Sequence, residues 1–213
     1  MSNIFFTSDT HYHHKNIVRG TTEWKGNHGG IHNAQNLRDF DTLEEHDAEL
    51  VESINSLVKE NDILYHLGDW SFGGYDQIEL FRRQINCKNI HFIYGNHDHH
   101  IEKDRKLQNL FLSTRHYKEI TIEKNRIILC HFAMRVWNKS HHGSWMLYGH
   151  SHGTLEQYSQ PIYGPSDFDP QDYRTMDVGV DTNKLFPYHY EDIRDSFKDR
   201  PALLVDHHNS ETN

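Results

Sequence analysis

The chain alternates short, wholly apolar runs with polar segments in which hydrophobic residues return at helical spacing. Ile4-Phe5-Phe6, Ile63-Leu64-Tyr65, Ile90 to Tyr94, Ile127 to Leu129 and Met146-Leu147-Tyr148 have the length and the β-branched or aromatic content of strands buried on both faces. Between the first two, positions Leu43, Asp47, Leu50, Val51, Ile54, Leu57 and Val58 recur at steps of three and four, and Thr42 with Glu45 forms a capping box in front of them. That segment is predicted helical. Tyr75 to Gln84, following Gly73-Gly74, predicts a second helix, and Arg115 to Arg126 a strand and a turn leading into the run at Ile127. The order is therefore β-α-β-α-β and then mostly β. Residues 153 to 175, with Gly153, Pro161, Gly164, Pro165 and Pro170 among polar neighbours, read as a long surface excursion before strand character resumes over Met176 to Val180. With no internal repeat and no linker, residues 1–213 read as one α/β domain.

The polar residues that follow the apolar runs carry the chemistry. Just beyond the five runs stand Asp9-Thr10-His11, Gly68-Asp69, Gly95-Asn96-His97-Asp98, His131, and Gly149-His150-Ser151-His152. In sheets with crossover helices, ligands bind in the crevice beyond the carboxyl ends of the strands, so these loops are expected to converge on one composite site. Any one fragment has an ordinary explanation as a cap, a turn or a core histidine. Taken in order, they supply the carboxylate, amide and imidazole donors that borderline divalent ions accept.

Composition sharpens this picture. Thirty-one Asp and Glu against 22 Lys and Arg leave a net charge of −9, which disfavours long duplex nucleic acid. Twenty histidines, spread beside Asp, Asn and Gly, point to metal. Two cysteines, Cys87 and Cys130, fit no C-x-x-C spacing and read as reduced thiols. No apolar run is long enough for a membrane helix and residues 1 to 30 hold no signal-peptide core, so the expectation is a cytoplasmic protein with no membrane partner.

These five blocks, together with His14-Lys15-Asn16-Ile17, Tyr65-His66-Leu67-Gly68-Asp69 and Asp177-Val178-Gly179-Val180-Asp181, resemble the calcineurin-like metallophosphoesterase superfamily, in particular its small bacterial and phage members. The resemblance implies two packed mixed β-sheets flanked by helices, a four-layer sandwich. It implies that Asp9, His11, Asp69 and His152 hold one divalent ion and Asp69, Asn96, His131 and His150 a second, with Asp69 shared. The ions would be Mn²⁺ above Fe, Zn, Ni, Co or Mg. It further implies that a hydroxide between the metals attacks phosphorus while His97, which is not a ligand, assists the leaving oxygen.

The chain departs from the family in Asp69-Trp70-Ser71-Phe72-Gly73-Gly74, where an acidic or amide residue three positions after the bridging Asp, and a nearby Arg, are often found. Asp98, His14 and Arg135 are the candidates for those duties, with Arg135 and His14 assigned to phosphate. Trp137, Trp145 and Tyr148 divide between core and a base-stacking wall. The paired histidines at 99–100, 141–142 and 207–208, like His13, read as solvated loops before metal storage. The expected activity is hydrolysis of small phosphoesters, phosphodiesters or nucleotides, the segment after His152 covering the cleft as a lid. A single-strand nuclease and a non-catalytic metal-binding scaffold of the same fold are the alternatives. The scaffold is disfavoured because His97 and every ligand position are filled.

Overall fold

The computed structural model describes residues 2–23, 37–155 and 173–204. The middle of the predicted lid (156–172) and the pair His207-His208 lie outside them. Among the described residues the strands are β1 (Ile4–Thr7), β2 (Ile63–His66), β3 (Asn89–Ile93), β4 (Ser113–Arg115), β5 (Tyr117–Ile122), β6 (Asn125–Cys130), β7 (Trp145–Tyr148), β8 (Thr175–Asp177) and β9 (Tyr188–His189). The α-helices are α1 (Leu43–Leu57), α2 (Tyr75–Gln84), α3 (His99–Lys103), α4 (Arg105–Gln108) and α5 (Tyr190–Phe197).

Two mixed sheets result. One has the order β4-β3-β2-β1-β9, parallel except for β9, and the other the order β5-β6-β7-β8 with an antiparallel β5–β6 hairpin. Strand period explains the layering. Phe5, Leu64, Ile90 and Phe92 face a core shared with Ile54 and Val58 of the α1 region and with Ile78 and Phe81 of α2. Their neighbours Phe6, Tyr65 and Ile93 point the other way, into a core shared with Ile127, Leu129, Trp145 and Leu147 of the second sheet. Both faces of the first sheet are thus covered, which is why its strands read as unbroken apolar runs. The outer face of the second sheet, Ile128, Met146 and Tyr148, is covered by Trp137 and Leu203.

Helix α1 starts as its sequence dictates. Thr42 accepts the Glu45 amide while the Glu45 carboxylate accepts the Thr42 amide, and Glu44 and Glu45 complement the positive end of the helix. It also buries three polar residues, His46, Asp47 and Ser53.

Four features depart from the expected order. Helices α3 and α4 occupy residues without an apolar stripe; each buries one side chain, Ile101 or Leu107. Helix α5 does carry a stripe, Tyr190, Ile193 and Phe197, which plugs the inter-sheet core. Between β4 and β5 the chain crosses from one sheet to the other within a single residue, His116. The strand expected over Met176 to Val180 stops at Asp177, because the Asp177 carboxylate accepts the Gly179 amide at 2.7 Å and turns the chain into a 3-10 turn over Val180–Thr182. No helix of the described residues is long and apolar enough to cross a membrane.

Candidate metal centre

All five polar clusters lie past the carboxyl ends of β1, β2, β3, β6 and β7, the first three from one sheet and the last two from the other. The parallel register of β1 and β2 continues into their loops: the amides of Asp9, His11 and Tyr12 donate to the carbonyls of Gly68, Asp69 and Trp70 at 2.9–3.1 Å. Trp70 anchors this pair of loops, its fully buried ring lying 4.4 Å from Phe81 and 5.2 Å from Phe111.

The backbone at the site is unusual. Asp9, His11, Asp69, His150 and His152 all adopt left-handed conformations, with φ between 47° and 71°. Such residues cost on the order of 1–3 kcal/mol each and persist where surrounding contacts over-determine them, typically at functional sites. Two glycines permit the close approach: a Cβ on Gly95 would lie 2.2 Å from Asp69 Oδ1, and one on Gly149 would lie 2.3 Å from Asp9 Oδ2.

The donors fall into two groups, Asp9–His11–His152 and Asp69–His131–His150, the donor atoms of each within 4.8 Å of one another. Asp69 stands between the groups. Its Oδ1 accepts the His97 amide at 2.9 Å, which turns Oδ2 inward to 3.5 Å from His11 Nε2 and 3.6 Å from His131 Nε2. Asn96 Oδ1 lies 3.0 Å from His131 Nε2 and 2.9 Å from His150 Nδ1. His11 and His152 stack with their Nε2 atoms 3.2 Å apart.

These residues fit divalent ions on chemical grounds. Asp9 Oδ2 accepts the His150 amide, but Oδ1 is buried without a hydrogen-bond partner among the described residues. Burial raises the Asp9 pKa to about 8 and lowers those of His11, His131 and His150, so the pocket holds neutral imidazoles and a carboxyl that resists ionising without a cation. His131 Nδ1 lies 2.8 Å from the Leu67 carbonyl, which takes the ring proton and leaves Nε2 free to bind. Burial opposes charging of His152 as well, yet its hydrogen bond to Asp181 leaves its pKa raised overall.

The remaining predicted residues are placed as follows. His97 is exposed at the mouth, Nε2 4.0 Å from Asp69 Oδ2 and its ring against Phe72. His14 stacks on the other part of this wall, 3.6 Å from the Phe72 ring centroid. Arg135 is exposed on the loop after β6. The Asp98 carboxylate accepts the amides of Asp69 and Gly95 at 2.7 Å and of Trp70 at 3.0 Å, so it clamps the two loops together by their backbones. Trp137, Trp145 and Tyr148 form no stacking wall: at 5%, 2% and 2% exposure they are core. Among the described residues, the exposed aromatic that lies against the donors is Phe132, 48% exposed, its ring 4.9 Å from His131 and 4.7 Å from His150. Sequence reasoning also missed Arg38, buried in a polar stretch with no motif, and gave Asp181 no role.

A sandwich of two mixed sheets with paired carboxylate and imidazole donors at its carboxyl edge defines a metallophosphoesterase, and the chain belongs to the calcineurin-like phosphoesterases, whose family profile matches residues 2–212. Among its relatives is an uncharacterised protein of Methanocaldococcus jannaschii, 27% identical over 168 residues that cover 78% of this chain and 77% of that one. A protein of unknown function from Aquifex aeolicus shares the fold with a TM-score of 0.58 at 20% identity, over 92% of this chain and 99% of that one. The phosphoesterase Yfce from E. coli aligns at a TM-score of 0.36 and 16% identity, over 83% and 78%.

Proposed function

We propose that the chain is a dinuclear-metal phosphoesterase acting on small phosphodiesters or nucleotides. The observation that carries this reading is Asp69 Oδ2, lying 3.5 Å from His11 of one donor group and 3.6 Å from His131 of the other, as a carboxylate shared by two ions must. Asp9, His11, Asp69 and His152 would hold one ion, and Asp69, Asn96, His131 and His150 the other. The mixed oxygen and nitrogen donors accept divalent first-row ions, and Mn²⁺ is the ion we take as the first to test. Bound as a pair, such ions supply Lewis acidity toward phosphoryl oxygens and a water of lowered pKa.

The chain's own groups do the rest. His97, tethered through its amide to Asp69, presents an exposed ring at the mouth and protonates the leaving oxygen. Arg135 and His14 are the groups we assign to phosphate binding. The half-exposed Phe132 offers a face to the base or aryl group of a substrate. A net charge of −9 keeps long polyanions away and leaves small phosphoesters as substrates. Two free cysteines suit a reducing, cytoplasmic compartment.

The test is hydrolysis by chelated protein with and without Mn²⁺. Chelated protein is expected to be inert, Mn²⁺ to restore turnover of an aryl phosphodiester, and Asp69→Asn to abolish most of it. Full turnover by the chelated protein refutes the reading. Faster cleavage of long single strands than of dinucleotides at matched phosphate concentration refutes the small-substrate part and favours a nuclease.

A further inference from the structure

Arg38 reaches the metal centre from outside the motifs. Its guanidinium is buried, and each of its five N–H groups has a partner. Nε donates to Asp181 Oδ1 at 2.8 Å and Nη2 to Asp181 Oδ2 at 2.8 Å, a bidentate fork. Nη2 also donates to the Asp9 carbonyl at 2.6 Å, and Nη1 to the Thr10 carbonyl at 2.7 Å and to His46 Nε2 at 2.9 Å.

Because arginine has donors and no acceptor, this network has one direction. His46 Nε2 must accept, so the His46 proton sits on Nδ1 and is donated to Asp47 Oδ1 at 3.0 Å. Asp181 is held as an acceptor, and its Oδ2 lies 2.6 Å from His152 Nδ1. The His152 proton is therefore fixed on Nδ1, and its Nε2 lone pair points toward His11 Nε2 and Asp9 Oδ1. The same guanidinium fastens the carbonyls of Asp9 and Thr10, which flank the left-handed turn that presents Asp9 and His11. His131 of the other donor group is oriented by the Leu67 carbonyl and takes no part in this network.

We infer that Arg38 is a positioning residue chiefly for one metal site: through Asp181 it sets the tautomer of His152, and through two backbone carbonyls it holds the Asp9–His11 turn, while the Asn96–His131–His150 site is tied to it only through the shared Asp69 and the bond from the His150 amide to Asp9 Oδ2. This rests on the dinuclear reading above for its metals, though not for the tautomer. Lysine cannot substitute, since a single ammonium offers three donors from one point and spans neither the carboxylate fork nor both carbonyls.

The experiment has two arms. In the first, Mn²⁺ is titrated calorimetrically into the chelated full chain and into R38K, with circular dichroism to compare their folds. Two binding events are expected in the parent, one of them 10- to 100-fold weaker in R38K, the usual effect of losing a group that orients a ligand, and the other changed less than about threefold. Equal weakening of both events, or of neither, overturns the inference. In the second arm, ¹⁵N NMR reads the tautomer of neutral His152 in the metal-free parent. The Nδ1–H form is expected, and the Nε2–H form overturns the inference. A parent that binds fewer than two Mn²⁺ ions defeats the dinuclear reading, and an unfolded R38K removes the first arm; in either case the NMR arm decides.

Discussion

Gly95→Ala isolates the geometry of Asp69 without changing any donor. Gly95 has no unusual φ, so an added methyl meets only a steric problem: its Cβ would lie 2.2 Å from Asp69 Oδ1 and 2.6 Å from the Asp69 amide nitrogen. Ordinary contact needs about 3.5 Å, so the carboxylate or the β3 loop must give way by about 1 Å. Asp69 Oδ1 is also tethered to the His97 amide, so the movement carries Oδ2 out of its place between His11 and His131 and drags His97 with it. Overpacking of this kind costs about 1–3 kcal/mol, or a fall in Tm of about 2–4 °C for each kcal/mol in a chain of this size. A misplacement of about 1 Å at reacting groups costs on the order of 10²-fold in turnover.

Gly74→Ala is the control. It strains the backbone, at φ 75°, where Gly95→Ala does not, and its Cβ meets nothing within 4 Å. Tm, Mn²⁺ binding by calorimetry and turnover of an aryl phosphodiester should be measured for both. Gly95→Ala is expected to weaken both Mn²⁺ sites and turnover far beyond its loss of Tm, whereas Gly74→Ala loses Tm alone. Parent-like metal affinity and turnover in Gly95→Ala would refute the argument that Asp69 is shared and that its position is set by this contact.

Three further outcomes are expected. His97→Ala should keep its metals but lose 10²- to 10⁴-fold in turnover, the loss shrinking as the leaving group improves; equal losses for nitrophenolate and alkoxide leaving groups would remove the general-acid role. Phe132→Ala should raise KM for aryl and nucleotide substrates but not for methyl phosphoesters, while Trp145→Phe lowers Tm without touching either KM; the reverse pattern would restore the buried tryptophans as the stacking wall. Burial lowers the pKa of His66 to about 3 and of His91 to about 4, so the folded chain binds fewer protons than the unfolded one and stability falls as pH drops from about 6.5 toward 4. His91→Asn should make that acid limb shallower, as read by Tm against pH in metal-free protein; an unchanged limb would show that His91 contributes nothing to it.

Much of the architecture was legible because strands β1, β2, β3, β6 and β7 are covered on both faces, and burial on both faces forces apolar runs that stand out in sequence. Helix α1 was legible for a similar reason: its capping box and its three-and-four spacing are local features. Helix α5 carries the same kind of signal in Tyr190, Ile193 and Phe197 and went unread, whereas α3 and α4 are held by one buried residue each and leave no pattern.

At the site, the motifs placed Asp9, His11, Asp69, Asn96, His131, His150 and His152 after strands, and parallel pairing gathers strand ends whatever their distance along the chain. What holds those residues in their working orientations is long-range and leaves no such trace. Arg38 meets Asp181 across 143 positions and Asp98 reaches back 29 to the Asp69 amide. Such contacts require only one donor facing one acceptor, a condition that many polar residues satisfy and that no local spacing encodes. The same holds for the aromatics. Trp137, Trp145 and Phe132 are equally hydrophobic to the eye, and only tertiary packing, of Trp137 on the outer face of the second sheet and of Trp145 from β7 against Tyr190 and Phe197 of α5, decides that they are core while Phe132 faces the cleft. Sequence determined which chemistry is present, because donor types and strand periodicity are local properties; tertiary structure decided which atoms face one another, because that depends on packing between residues far apart in the chain.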